Sequence, residues 1–596
     1  MSADDDLLDR PVDLGFLPRL WPFVRPYRRA FGAGLLILLL SFGLEMLGPY
    51  LLRAAIDGPM RGTDLPAGER TAQLWWYAAG FLLVTALGAV FGYAYGQLTA
   101  WNGQRVIRDV RRRLFDHLLH AGAAFHERNA AGKLTTRVTS DVENLNELIA
   151  TGVLQSAFDL LKIAGVLVAL FFLDLKLALF TVATTPIVIV ISVLFRRNAQ
   201  RAYRAVRGKL ALQNAYTAEV IGGVRATRAY GREPAVAARY AALNADTARS
   251  WRDTVFHFSV FFGLVDLSLR ATSVGLLWFG GTAVLRGSAE PGVFVQFWLY
   301  FGMLTSPIRE LGEKYNVLQA AFASTERIFA ILGEPRFPPP QQAPVYRPRE
   351  RRPMAVELRD VTFAYGDGPP VLRSVSLRAD AGQTIAVVGP TGAGKTTLLS
   401  LVSRLRDVDG GSVLVDGEDV RRWDLTELRR RVAVVAQDLF LFTGTVLDNV
   451  RLFDRSIDEA RVWRALELVG AADFVAALPD GLRARVEERG GTFSQGQRQL
   501  LAFARALVTD PCVLVLDEAT ASIDSATEAR LQRALTAALR DRTALVVAHR
   551  LSTVQHSDRI LVLQHGRVVE AGGHDELLRR GAIYAGMLRT CSGGPR

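Results

Sequence analysis

Six apolar stretches dominate the first half of the chain, at residues 31–52, 74–98, 155–173, 177–195, 255–285 and 291 to about 318. As helices rising about 1.5 Å per residue, they are long enough to cross ~30 Å of hydrocarbon. Hydrocarbon offers no partner to a backbone N–H or C=O, so each stretch is predicted to be a transmembrane helix. An even number of spans puts both ends of the chain on one side. Arg105, Arg108, Arg111, Arg112 and Arg113 follow the second stretch, and Arg196, Arg197, Arg201, Arg204, Arg207 and Lys209 follow the fourth. Positive charge stays on the cytoplasmic side, so these loops and both termini are expected there, in a multi-pass protein of the cytoplasmic membrane.

The net charge of +12 over 596 residues would suit a nucleic-acid partner, but the arginines flank apolar segments and half the residues are hydrophobic. Membrane anchoring explains that placement, and no nucleic-acid partner is expected. Cys512 lies in an apolar run and Cys591 in the tail, which gives neither a disulfide framework nor a cysteine zinc site. Asp4, Asp5 and Asp6 break the basic-then-apolar order of a cleaved signal, so the first stretch is expected to be retained.

The polar segments from 102 to about 151 and from 196 to about 253 are too long for structureless loops and read as cytoplasmic extensions of the membrane helices. Residues 125–134 in the first, and Gly222, Gly223 and residues 230–233 in the second, mark turns. These are candidate docking elbows, with ordinary surface turns as the alternative. Within the spans, Asp266 and Arg270 stand four apart and can pair on one helix face, while Glu45 sits in the outer half of the first span. Whether they neutralise one another at a helix contact or line a substrate pathway stays open. Asp159 and Lys162 are expected near the interface, and His117, His120 and His126 as solvated histidines.

Pro335, Pro338, Pro339, Pro340, Pro344 and Pro348, with Arg349, Arg351 and Arg352, mark a stiff linker. The expected division is an N-terminal segment at 1–30, a membrane domain with six helices at 31–334, the linker at 335–354 and a nucleotide-binding domain at 355–596. In that last part short strands alternate with helical patterns, as in an α/β domain with a partly parallel sheet.

There the apolar run 384–388 leads into Gly389, Pro390, Thr391, Gly392, Ala393, Gly394, Lys395, Thr396 and Thr397. A strand, a glycine-rich turn and a helix start make a phosphate cradle: backbone N–H groups close on the oxygens, and the helix dipole adds positive charge. Lys395 is placed to reach the β- and γ-phosphates and Thr396 to offer its hydroxyl to Mg²⁺. Downstream, the apolar run 512–516 ends in Asp517 and Glu518. Asp517 is a candidate Mg²⁺ ligand and Glu518 a candidate base for the attacking water. The run 544–548 ends in His549, placed to sense the γ-phosphate, and Gln437 follows the run 432–436, placed to contact Mg²⁺ and water.

In motif order and spacing the chain resembles the ATP-binding cassette exporters, in particular half-transporters with six membrane helices ahead of one nucleotide-binding domain. The resemblance covers nearly the whole chain. It implies that Tyr365 stacks on adenine, that Gln437 links the site to the membrane helices and that Asp517 and Glu518 are the metal-binding acid and the general base. It likewise implies that Ala521, Ser522, Ile523 and Asp524 signal across a dimer, that His549 is the switch histidine, and that residues 125–134 and 230–233 are coupling helices. Where the family signature reads Leu-Ser-Gly-Gly-Gln, this chain reads Phe493, Ser494, Gln495, Gly496, Gln497. Gln495 adds a bulky side chain and restricts φ where backbone and phosphate approach closely. An intact phosphate loop, acids and histidine beside an altered signature resemble one subunit of a heterodimeric member, whose partner has the reverse. One composite site would then hydrolyse ATP while the other turns over little. The implied function is ATP-driven export of hydrophobic or amphipathic compounds such as drugs, lipids or peptides, with ATP and Mg²⁺ and a second half-transporter as partner. A homodimeric lipid flippase and an ATP-gated channel are the alternatives.

Overall fold

The computed structural model describes residues 17–61, 66–149, 153–338, 345–348, 350–437, 439–517, 525–548 and 554–592. The chain divides into two compact units, residues 1–118 with 132–333, and residues 119–131 with 334–596.

Among the described residues, six long helices build the first unit: α1 (Arg28–Ala55), α2 (Ala67–Leu119), α3 (Val153–Leu173), α4 (Leu175–Gly222), α5 (Glu233–Leu285) and α6 (Pro291–Leu332). Each predicted apolar stretch falls inside one of them. Among the described residues, four helices are long and apolar enough to cross a membrane, whereas the described apolar parts of α4 and α6, Leu175–Thr184 and Pro291–Leu304, are shorter. The polar extensions are helical too, since α2, α4 and α5 run on without a break beyond their apolar parts. Asp174 separates α3 from α4 by capping, its carboxylate accepting from the N–H groups of Lys176 and Leu177 at 2.8 and 3.0 Å.

Leu170 of α3, Ala178 of α4, Leu276 of α5 and Phe297 of α6 meet in the core of this unit. The apolar window of α2 has no buried residue, and Trp75, Trp76, Leu82 and Tyr93 stand exposed on it. Such a surface suits lipid or a second chain as its solvent. The ionisable groups differ in part from expectation. Asp266 and Arg270 do pair, at 2.6 Å. Lys162, however, pairs with Glu45 at 2.7 Å across α1 and α3, and Asp159 is buried, accepting from Gln155 at 3.2 Å. His117, expected in solvent, is also buried. Helix packing, which periodicity leaves unspecified, covers these groups.

A short helix, Ala123–Arg128, follows α2, and another, Val224–Ala229, follows α4, so the chain breaks at both predicted elbows. Gly223 ends α4, and Arg232 precedes α5.

The second unit carries two main sheets. One is antiparallel, in the order β2 (Pro370–Ala379), β1 (Val356–Ala364), β4 (Gly410–Val415), β5 (Glu418–Asp419). The other orders β12 (Arg567–Gly572), β11 (Arg559–Gln564), β3 (Thr384–Val388), β10 (Thr543–Val547), β9 (Val513–Asp517) and β6 (Val432–Val435), parallel except at the β12 edge. Strands β9 and β10 are buried at every position, which is why their stretches 513–516 and 544–547 read as unbroken apolar runs. A small ribbon pairs β7 (Gly444–Thr445) with β8 (Arg485–Val486). Two cores flank the parallel sheet: one gathers Leu372, Leu398 and Trp423, the other Leu441, Val446 and Leu500. The end of the predicted linker is tied to this unit, Tyr346 N–H donating to the Arg422 carbonyl at 2.9 Å and Arg347 pairing with Asp424 at 2.5 Å.

Candidate active site

The predicted phosphate loop leaves the buried end of β3 and enters helix α7 (Lys395–Val402). Two glycines are dictated by space. A Cβ on Gly389 would stand 2.1 Å from the Leu563 carbonyl oxygen, and Gly394, which caps α7, has φ +101°.

Lys395 is buried, its Nζ donating to the carbonyls of Gly389 at 2.8 Å and Pro390 at 3.0 Å. Burial pulls its pKa below the ordinary lysine range, against the opposing attraction of Asp517. Thr396 Oγ1 donates to Asp517 Oδ2 at 2.7 Å, so the strand-end acid and the loop threonine, 121 residues apart, share one spot. Hydroxyl and carboxylate are hard oxygen donors, the set that suits Mg²⁺. Tyr365, just past β1, hydrogen-bonds through its hydroxyl to Thr397 Oγ1 at 2.8 Å and keeps 43% of its surface exposed. Gln437 is exposed, two residues beyond β6. The structure thus brings Tyr365, the loop and Asp517 together, while Glu518, residues 521–524 and His549 lie outside the described residues.

Ser494, Gln495, Gly496 and Gln497 start helix α8 (Gln495–Leu507), which packs in the core opposite to that of α7. Ser494 caps it reciprocally: its Oγ accepts from the Gln497 N–H at 3.3 Å, and Gln497 Oε1 accepts from the Ser494 N–H at 2.9 Å. Gln495 takes the first helical position and is absent from the positive-φ residues, so the expected backbone restriction does not operate. What it adds is side-chain bulk alone.

Residue patterns match the ABC transporter transmembrane region over 31–308 and the ABC transporter model over 372–521. An uncharacterized ABC transporter ATP-binding protein of Bacillus subtilis, YknV, is 36% identical over 591 residues, covering 99% of this chain and 96% of that one. The chain belongs to the ABC transporter family. The ATP-dependent lipid A-core flippase of Cupriavidus metallidurans is 33% identical over 99% of this chain and 98% of its own. A bacterial Atm1-family ABC exporter solved with ATP bound superposes with TM-score 0.79 at 26% identity, covering 96% of this chain and 99% of that one. This half-transporter fuses a helical membrane region to a P-loop ATPase that drives transport.

Sequence reasoning passed over two arginines of this ABC transporter. Arg505, on α8, donates to the carbonyls of Phe440 and Asn449, each at 2.8 Å, tying α8 to the segment that follows Gln437. Burial pushes its pKa below the ordinary guanidinium range. Arg406 lies against Tyr365. Neither belongs to a spacing that chemistry dictates, so a lone sequence carries no signal for them.

Proposed function

We propose that the protein is one half of a dimeric exporter that uses ATP to move hydrophobic or amphipathic compounds across the cytoplasmic membrane by alternating access. The reading rests above all on the Thr396–Asp517 hydrogen bond beside Lys395, which assembles phosphate and metal donors at one spot. Lys395 would hold the β- and γ-phosphates, the loop N–H groups the oxygens between them, and Tyr365 the adenine. Thr396, Asp517 and Gln437 would hold Mg²⁺, which screens phosphate charge when bound. Glu518 is proposed as the base that orients and deprotonates water, with His549 sensing the γ-phosphate. Closure of two nucleotide domains on ATP would shift the membrane part between two packings, by as much as their ATP affinities differ.

Gln495 supports a heterodimer: the productive site joins this chain's loop, Asp517 and Glu518 to an intact signature helix of a related half-transporter. The ordinary helical backbone at Gln495 favours a second reading, a homodimeric flippase that tolerates the side chain. The likeness to the lipid A-core flippase supports an amphipathic lipid as cargo. Arginines at the predicted loops support cytoplasmic termini, with a membrane domain near 31–334 and a nucleotide domain near 355–596.

In the assembled transporter, Glu518→Gln is expected to lower ATP turnover by about 100-fold or more while ATP binding persists. Phosphate release and nucleotide-binding titrations measure both, and wild-type turnover in the variant would remove Glu518 from its role.

A further inference from the structure

We propose that Arg406 positions the Tyr365 ring for adenine, and that its ion pair with Glu127 ties this ring to the first elbow. The inference rests on the reading of Tyr365 as the adenine platform. The Arg406 guanidinium lies 4.7 Å from the centroid of Tyr365 and 5.9 Å from that of Phe363. The two rings themselves stand edge to face, 5.1 Å apart at 85°. A delocalised, weakly hydrated cation packs on ring faces in this manner, and an ammonium does so less well. With the hydroxyl held by Thr397, the Tyr365 ring is fixed at its tip and on one face, and its exposed surface remains for a base.

The same guanidinium donates to Glu127 Oε2, and its side chain is only 11% exposed. Glu127 belongs to the helix Ala123–Arg128, which lies in the α/β unit. Two further contacts seat the elbow there: the Phe337 N–H donates to the His120 carbonyl at 2.8 Å, and Arg128 pairs with Glu334 at 2.8 Å. One side chain therefore bears on both the adenine platform and the elbow. Whatever orders Arg406 on one side orders it on the other, so base binding and elbow seating favour each other reciprocally.

The test uses the assembled full-length transporter in lipid nanodiscs, reading the KM and kcat for ATP and the amide exchange of residues 119–131. Arg406→Gln is expected to raise KM roughly 2- to 30-fold, the span from an exposed to a desolvated cation–π contact, with little change in kcat and faster exchange in the elbow. Arg406→Lys keeps a charge for Glu127 but loses the planar stack, so KM rises while elbow exchange stays near wild type. Glu127→Gln, at an exposed position that leaves folding intact, speeds elbow exchange and raises KM by less, and combining it with Arg406→Gln raises KM no further. Wild-type KM and exchange in Arg406→Gln, or strictly additive effects of the pair, would overturn the inference. Tyr365→Ala separates the two readings: if it leaves KM unchanged the platform itself is wrong, whereas a raised KM there beside a wild-type KM in Arg406→Gln sinks the inference alone.

Discussion

Lys395 concentrates the chemistry proposed for the site. Its ammonium is buried and turned onto the carbonyls of its own loop, and burial draws its pKa below the ordinary lysine range. Phosphate oxygens would favour the charged form again, so binding takes up a proton wherever the free lysine has lost part of its own. The sign follows: ATP affinity weakens as pH rises toward the ordinary lysine pKa of 10.5. Calorimetric titration at alkaline pH in two buffers of different ionisation heat should show net proton uptake, and equal heats would show that Lys395 is already fully charged. The meeting of Lys395, Thr396 and Asp517 was legible in the sequence because the phosphate and metal chemistry proposed for them fixes their type and spacing. Arg406 was not, because a guanidinium that packs on a ring looks in sequence like any solvated charge.

At the scale of elements, β3, β9 and β10 were legible because a strand buried on both faces has to be apolar throughout. Burial of His117 and Asp159 and the Lys162–Glu45 pair were hidden, since they depend on which helices become neighbours. The helix α8 was located by its signature, yet its capping box and the Arg505 tie emerged only with the backbone in place. Gln495 at its first turn lends itself to a direct measurement. If the signature faces a partner's low-turnover site, Gln495→Gly should change ATP turnover of the assembled transporter by less than about 2-fold. A several-fold rise in phosphate release would instead favour the homodimer, in which each signature helix serves a hydrolytic site.

For the whole molecule, the exposed apolar face of α2 and the separation of α8 from α7 both call for something outside this chain. Lipid can meet the first, and on the proposed reading of α8 as a signature helix another nucleotide domain would meet the second. If that domain belongs to the related half-transporter that Gln495 supports, affinity purification from native membranes with a tag on this chain should recover it in about equal amount. Mass spectrometry that finds this polypeptide alone would establish the homodimer. The helices α2 and α5 each run for 53 residues, about 80 Å at the rise of an α-helix and far more than the ~30 Å that hydrocarbon requires. Such rods work as levers. A tilt of about 10° at one end of an 80 Å helix sweeps the other through about 14 Å, so under the proposed alternating access helix length would set the stroke.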